Sequence, residues 1–482
     1  MTKRLSILFI VLAAAITAAA HHYEVANSDS VMIYYTDVTA GYGTPAVEVT
    51  YRGTWYGDYE NEYQGAVNIP DSISVEGKVY TVIGIGEQAF AECYNLKSVT
   101  IPESIEYIRY KPFEKCYQVT EINYNAIRCA DFTMPEFAPF SVNNMYREVY
   151  EYSEQYQTWI KYWNDYNVSV VNIGPKVERI PDYMFYGMGS RFLEYDRLTT
   201  TSTYTKKGVK EFNFLGVPKE IGNQAFRGCR VLREIEIPQD VESLGQALFA
   251  DCDTLASVSL PDHMEEIPAY FFMNCKELTN FVFPSQVKSI NFEAFKNCAK
   301  LTDLNNLPAG LKVIGPSAFR ACEFITHVDL PEGLVTLDGY SFSDCTGLTT
   351  LDIPGTVETI GNYAFEDCTN LTTVTLHEGT KEIGNFVFAG CRKLSKGIVN
   401  APARMPRIYA QTFNEVANSM TVNVEGGDEK EYVADANWGR FFAPQGVEEI
   451  DEPARKAHKV IRDGQLIIKK GGKEFNVLGA EL

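Results

Sequence analysis

The sequence contains eleven cysteines. A cysteine can form a disulfide, ligate zinc or act as a nucleophile, so these residues are considered first. No two of them stand two to four residues apart, which argues against a zinc site. Most of them instead recur at a fixed interval of 23 residues. This interval separates Cys229, Cys252, Cys275 and Cys298, then Cys322, Cys345, Cys368 and Cys391, and also Cys93 and Cys116. Only Cys129 stands outside the series.

A cysteine that returns once per structural repeat is expected to point inward as a small apolar side chain. In adjacent coils such residues would lie about 4.8 Å apart, the spacing of neighbouring strands, with their side chains parallel. Parallel side chains are poor disulfide geometry. The spacing therefore predicts a stack of free, buried thiols, with no metal site and no cofactor.

The other residues that support catalysis are scattered. The six histidines include His263, His327 and His377, which fall in different repeats, and none lies in a hydrolase, metalloprotease, P-loop or dinucleotide-binding motif. Glu265 and Glu266 are adjacent, so on a strand or turn they would point apart, which does not suit paired-carboxylate catalysis. The sequence predicts no catalytic residue, and we expect that the protein is not an enzyme.

The repeat that carries the cysteines keeps the same apolar phase in each copy, the signature of a solenoid. One copy reads Gly361-Asn-Tyr-Ala-Phe-Glu-Asp-Cys-Thr-Asn-Leu-Thr-Thr-Val-Thr-Leu376. Its Leu-x-x-Val-x-Leu stretch predicts a short strand with apolar inward residues, and strands of successive coils would pair into a parallel sheet. A proline after the strand, as at Pro354 in the preceding copy, lacks an amide hydrogen and ends the pairing.

This pattern resembles the BspA-like leucine-rich repeat, also called the Treponema pallidum type, with the typical form I-G-x-x-A-F-x-x-C-x-x-L-x-x-V-x-I-P. Residues 360–374 and 314–331 match it closely, and the resemblance is clean over 82–124 and 219–399. It implies an α/β-type repeat solenoid, a right-handed coil of short parallel β-strands with a β-rich N-terminal cap and a C-terminal cap. It also implies a surface protein of a Bacteroidetes-type bacterium that functions in adhesion to matrix proteins, host proteins or other microbes.

Composition and repeat quality divide the chain into seven segments. Lys3 and Arg4, an apolar run over 5–16 and small residues at 18–20 predict a signal peptide that is cleaved near Ala20 and leaves no membrane span. The final residues are similar to short sorting tails of exported Bacteroidetes proteins, although a plain β tail explains them equally well. The segments are 1–20 signal peptide, 21–81 N-terminal β cap, 82–124 leucine-rich repeats, 125–218 degenerate repeats with insertions, 219–399 regular repeats, 400–450 C-terminal cap and 451–482 C-terminal β tail.

Two stretches inside the degenerate segment depart from the repeat. In the first, aromatic residues recur mostly at three- and four-residue steps, which predicts one face of a helix packed in the core. They are Tyr146, Tyr150, Tyr156, Trp159, Trp163 and Tyr166. As an alternative, Trp159 and Trp163 would stack on the rings of a glycan. In the second, residues 199–207 are polar and predict an exposed loop.

The candidate binding site is the outward side of the predicted sheet. Residues that alternate with the inward strand positions face solvent and form an extended surface suited to a protein or a glycan. Small polar and acidic residues dominate this surface, although Val282 shares its phase. The ligand-binding candidates are Glu234, Glu236, Ser257, Ser259, Asn280, Asp303, His327, Asp329, Thr350, Asp352, Thr373 and Thr375.

Charge restricts the class of partner. The formal charge of −20 becomes −22 once the signal is removed, because residues 1–20 hold two cations and no anion. Such a surface repels phosphate backbones, so we expect no nucleic-acid partner. We expect a secreted or cell-surface monomer that binds an extracellular protein or glycan. The alternatives to an adhesin are a glycan-recognition protein of a bacterial envelope and a purely architectural envelope protein.

Overall fold

The computed structural model describes residues 21–482 except 59, 146, 154–157, 197–200, 303, 443–457, 463–464, 471–472 and 476–482, and within 147–165, 190–206 and 458–475 it describes the backbone alone. The predicted signal peptide lies outside the described residues. The described chain is a solenoid of stacked coils, which confirms the predicted repeat fold. Each regular coil contributes a two-residue strand and a turn built around a buried phenylalanine, and most of these coils add a longer strand.

A small sheet closes the N-terminal end of the solenoid. Its region contains β1 (Tyr23–Ala26), β2 (Met32–Asp37), α1 (Thr39–Tyr42), β3 (Ala46–Thr50), β4 (Gly65–Asn68), β5 (Ser72–Val75) and β6 (Lys78–Ile85). The strand order is β1-β2-β3-β6-β5, antiparallel except where β3 runs parallel to β6. Alternating apolar residues such as Val47 and Val49 are buried against the first coil. Both β4 and β6 also pair with strands of the array, so this cap and the coils share continuous ladders.

The longer strands form the parallel sheet that carries the candidate binding residues. They are β7 (Leu96–Ile101), β9 (Glu121–Tyr124), β12 (Val170–Ile173), β16 (Glu211–Phe214), β18 (Glu234–Glu236), β20 (Ser257–Ser259), β25 (Thr350–Ile353), β27 (Thr373–Leu376), β29 (Ile398–Ala401) and β30 (Thr421–Val424). Pairing is continuous from β4 to β16 and from β25 to β30. Between these two parts lie the pair β18–β20 and a single bridge between Leu304 and Val328.

Two-residue strands form a second parallel column on another wall of the coil. They are β8 (Tyr107–Ile108), β13 (Arg179–Ile180), β17 (Glu220–Ile221), β19 (Ser243–Leu244), β21 (Glu266–Ile267), β22 (Ser289–Ile290), β23 (Val313–Ile314), β24 (Thr336–Leu337), β26 (Thr359–Ile360) and β28 (Glu382–Ile383). Between β8 and β13, this column is represented by a bridge from Arg128 to Arg179.

A column of phenylalanine rings runs through the core from one end of the solenoid to the other. Successive rings have centroids between 5.1 and 6.1 Å apart, within the range of favourable aromatic contacts. The rings are those of Phe90, Phe113, Phe140, Phe185, Phe226, Phe249, Phe272, Phe295, Phe319, Phe342, Phe365, Phe388 and Phe413. Because Phe140 and Phe185 belong to the degenerate segment, that segment continues the same stack of coils.

Except around Phe140 and Phe413, each phenylalanine turn contains two residues with left-handed backbone, two positions before and two after the ring. Around Phe365 these are Tyr363 (φ 63°) and Asp367 (φ 55°). Their amide hydrogens donate to carbonyls of the next coil, as from Asp367 to Ala389 (2.8 Å). The hydrogen bonds between coils therefore offset the energetic cost of the left-handed backbone in the turn.

The structure corrects two expectations for the degenerate segment. The aromatic stretch predicted as a helix is a hairpin of β10 (Arg147–Ser153) and β11 (Thr158–Asp165), which follows the short helix α2 (Val142–Met145). The stretch predicted as a polar loop belongs to a second hairpin, β14 (Gly189–Asp196) with β15 (Thr201–Gly208). Threonine, tyrosine and tryptophan favour strands, and a hairpin returns the chain to its starting point, so the interrupted coil can continue. Val209 accordingly donates its amide hydrogen to the carbonyl of Met188 (2.9 Å).

The C-terminal end of the solenoid is covered by aromatic residues. After β30, helix α3 (Lys430–Ala434) brings Tyr432 over the last coil, and Trp438 packs on Phe413 with ring centroids 5.6 Å apart. Both side chains are fully buried. The tail adds β31 (His458–Arg462), β32 (Gln465–Lys470) and β33 (Lys473–Phe475), paired antiparallel in that order. Across the described chain, helices are too short or too polar to cross a membrane.

Candidate binding surface

The outward side of the long-strand sheet is open to solvent where the structure describes it. Nine of the twelve predicted candidates are exposed, while Thr373 and Thr375 are half-buried and Asp303 lies outside the described residues. The inward neighbours Ile235, Leu351 and Val374 are buried, as the period of two requires. The exposed candidates are Glu234, Glu236, Ser257, Ser259, Asn280, His327, Asp329, Thr350 and Asp352.

Near the C-terminal part of this surface, two histidine–aspartate pairs lie in neighbouring coils. The His327 Nε2 atom lies 2.7 Å from an oxygen of Asp329, and the His377 Nε2 atom lies 2.7 Å from an oxygen of Asp352. Thr350 lies between the two pairs, and its hydroxyl oxygen is 3.5 Å from His327 Nδ1. Sequence reasoning treated His377 as a scattered histidine, because its partner stands 25 positions earlier in the chain.

Rows of asparagine side chains run across the same face at both ends. Asn172 donates to Asn123 (2.8 Å), and Asn213 donates to Asn172 (2.9 Å). At the other end, Asn423 donates to Asn400 (3.1 Å). These ladders were not predicted, although asparagine at the same strand position of successive repeats is the signal for them. Because their amides satisfy one another, we regard them as structural.

The middle of the face offers the groups that remain available to a ligand. Glu234 and Glu236 form no ion pair with any residue that the structure describes. Two rungs further on, Val282 exposes 74% of its surface, the largest exposed fraction among the large apolar residues described. Glu234, Glu236 and Val282 are therefore accessible side chains of this face.

The cysteines lie in the core. All eleven are free and buried, which confirms the predicted thiol stack. Each thiol in the regular array donates to a phenylalanine carbonyl of the preceding coil, as from Cys252 Sγ to Phe226 (3.2 Å) and from Cys298 Sγ to Phe272 (3.2 Å). Burial raises the pKa of Cys345 to about 12, so this thiol stays protonated and unreactive. Among the described residues, no three His, Cys, Asp or Glu side chains have the arrangement of a metal site.

The alternative glycan-stacking residues have a different backbone setting from the one predicted. Trp159 and Trp163 lie in β11, opposite Tyr152 and Val149 of β10. Their side chains lie outside what the structure describes. The hairpin therefore leaves the proposal of glycan stacking as a prediction.

Repeat pattern and coil geometry together point to one family. A family model described as BspA type leucine rich repeat region matches in six copies, over residues 72–190, 197–307 and 293–420. The chain belongs to the BspA-type leucine-rich repeat family. In this BspA-type protein, the fixed positions of the motif lie inward, whereas the outward positions change from coil to coil. The family motif therefore defines the core positions and leaves the outward face unspecified.

Solved structures of bacterial repeat proteins resemble this BspA-type chain at low identity. A leucine-rich repeat protein from Bacteroides ovatus ATCC 8483 is 22% identical, with 81% of this chain and 98% of that chain covered and a TM-score of 0.45. The pneumococcal vaccine antigen PcpA is 16% identical, with coverages of 84% and 98% and a TM-score of 0.46. A leucine rich cell surface protein from Faecalibacterium prausnitzii A2-165 is 16% identical, with coverages of 88% and 99% and a TM-score of 0.35. No curated protein matches the chain significantly.

Proposed function

We propose that this BspA-type protein is an exported, non-catalytic adhesin whose outward sheet face binds an extracellular protein. The observation that carries the proposal is the openness of that face: its predicted residues are exposed along consecutive coils, and no described segment covers them. An extended surface of this kind suits a macromolecule, whereas small substrates bind in concave pockets. We propose a monomer, because the described ends of the array are closed by the N-terminal sheet and by Trp438.

Export is part of the proposal. Residues 1–20 have the basic start, apolar centre and small-residue end of a signal peptide, and cleavage near Ala20 would release a chain with a charge of −22. Relatives with similar folds include a cell surface protein and a vaccine antigen, as their descriptions state. We propose a secreted or cell-surface location on this basis.

The chemistry of the face favours a cationic partner. Glu234, Glu236, Asp329 and Asp352 place carboxylates on it, and the whole chain is strongly acidic. Opposite charge on the partner would accelerate association, while Val282 would contribute apolar contact at the centre. Binding should therefore weaken as ionic strength rises, because exposed charges are screened within about 8 Å at physiological salt.

The test measures binding of the mature chain, residues 21–482, to immobilised fibronectin, laminin and collagen by biolayer interferometry. The double variant Glu234→Lys with Glu236→Lys should weaken binding at least tenfold. Its matched control, Asp240→Lys with Asp262→Lys, makes the same charge change at exposed turns off the face and should bind normally. Equal losses in both variants would show a general charge effect and reject this face as the site. Absence of protein binding, together with glycan-array binding lost in Trp159→Ala, would replace the adhesin by a glycan receptor.

A further inference from the structure

A cleft of about 590 Å³ opens on the short-strand wall, away from the outward sheet face. Its origin is a shortened coil. Ile108 stands seven positions after Ile101 at the end of the longer strand, whereas Cys129 stands only five positions after Tyr124, the partner of Ile101 in the next coil. Cys129 therefore occupies the position of the short-strand isoleucine, which explains why it stands outside the 23-residue series. The wall carries the cleft at this coil.

The cleft is lined by charged side chains from four consecutive coils. Its lining residues are Glu106, Arg128, Cys129, Ala130, Glu178, Arg179, Lys219 and Glu220. Four of these charges are already satisfied in pairs. Arg128 forms an ion pair with Glu178 (2.5 Å), and Arg179 forms one with Glu220 (3.0 Å).

Two opposite charges remain at the two ends of the cleft. The Glu106 carboxylate and the Lys219 ammonium make no ion pair or side-chain hydrogen bond within the part of the chain that the structure describes. Glu106 precedes β8, and Lys219 precedes β17, so three strand steps separate them. At about 4.8 Å a step, their backbones lie roughly 14 Å apart. The two groups are too distant to neutralise each other and face a shared recess.

We propose that this cleft binds a short zwitterionic peptide, with its carboxylate at Lys219 and its ammonium group at Glu106. An extended tripeptide spans about 10 Å at 3.3–3.6 Å per residue, which fits the separation once the two side chains extend into the recess. The volume lies within the roughly 300–1,000 Å³ of small-molecule sites. The mixed charges of the lining disfavour a polyanion.

The test is isothermal titration of the mature chain with tri-alanine, compared with its N-acetylated and C-amidated forms. The free peptide should bind saturably, and each blocked form should bind at least tenfold more weakly. Lys219→Met should abolish the difference in affinity between the free and the amidated peptide. Glu106→Gln should abolish the difference in affinity between the free and the acetylated peptide. Lys288→Met removes a lysine that pairs with Glu265 on the same wall, and it should leave binding unchanged.

Each result separates this proposal from the adhesin proposal. Lys219→Met should bind matrix protein as the wild-type chain does, because the cleft and the outward face lie on different walls. Lack of saturable heat up to about 10 mM peptide, or equal affinity for free and blocked peptides, would overturn the zwitterion site. A Lys219→Met variant that still prefers the free over the amidated peptide would overturn it as well.

Discussion

The left-handed residues of the phenylalanine turns give a sharp test of the coil geometry. Ala321 has a φ of 58°, and its amide hydrogen donates to the carbonyl of Ser343 in the next coil (2.8 Å). A left-handed backbone costs an L-residue about 1–2 kcal/mol, whereas glycine adopts it freely. Glycine also loses about 0.4–1 kcal/mol more conformational entropy on folding than alanine. Ala321→Gly should therefore stabilise the protein by about 0.5–1 kcal/mol.

The same change three residues earlier should have the opposite effect. Ala318 is fully buried and is not among the left-handed residues. Replacing it with glycine removes a buried methyl, about 0.8 kcal/mol, and adds the entropic penalty. Ala318→Gly should therefore destabilise by about 1–2 kcal/mol.

Urea unfolding followed by far-ultraviolet circular dichroism measures both changes. Because a repeat array need not unfold in one step, hydrogen exchange of amides 315–345 should accompany it. Exchange there should slow in Ala321→Gly and accelerate in Ala318→Gly. If both variants lost stability equally, the left-handed assignment at Ala321, and with it the turn geometry of every coil, would be refuted.

Three further predictions concern the core and the caps. Because burial raises the pKa of thiols such as Cys345, Ellman's reagent should find no reactive thiol in the native protein and eleven after denaturation; several reactive native thiols would contradict the stack. Burial raises the pKa of Glu62 from 4.5 to about 7, so the folded chain binds this proton more tightly than the unfolded chain does. The stabilisation is complete below the unfolded pKa and is lost as pH rises through 7. The free energy of unfolding, measured by thermal unfolding, should therefore fall by on the order of 1 kcal/mol between pH 5 and 8. Glu62→Gln should remove this pH dependence. Trp438→Ala should cost about 3–5 kcal/mol and accelerate hydrogen exchange around Phe413, whereas Trp55→Ala, at a residue 57% exposed, should change stability little.

The repeat was readable because its information is local. A coil closes on itself within 23 residues, so the inward positions recur in one phase, and Cys252, Cys275 and Cys298 could be placed one above another from spacing alone. The family resemblance added the handedness and the caps. The same locality gave the outward candidates, since a residue next to a buried strand position must face solvent.

The middle of the chain was misread because its pattern fits two structures. The aromatic spacing around Trp159 and Trp163 suits one helix face, and it also suits a hairpin in which Trp159 lies opposite Tyr152. Periodicity within a short segment does not separate these cases. The neighbouring coils decide between them, since the chain must leave and re-enter the stack at adjacent points.

The sequence by itself determined the coil: its length, its inward residues, its free thiols and the face that it turns to solvent. These follow from a period that a single chain segment repeats. Only the tertiary structure decided which residues of different coils meet, including His377 with Asp352 and the recess between Glu106 and Lys219. Such contacts depend on the length of each coil and on the register between adjacent coils. A small change in either one brings different residues together and leaves the repeat motif unchanged.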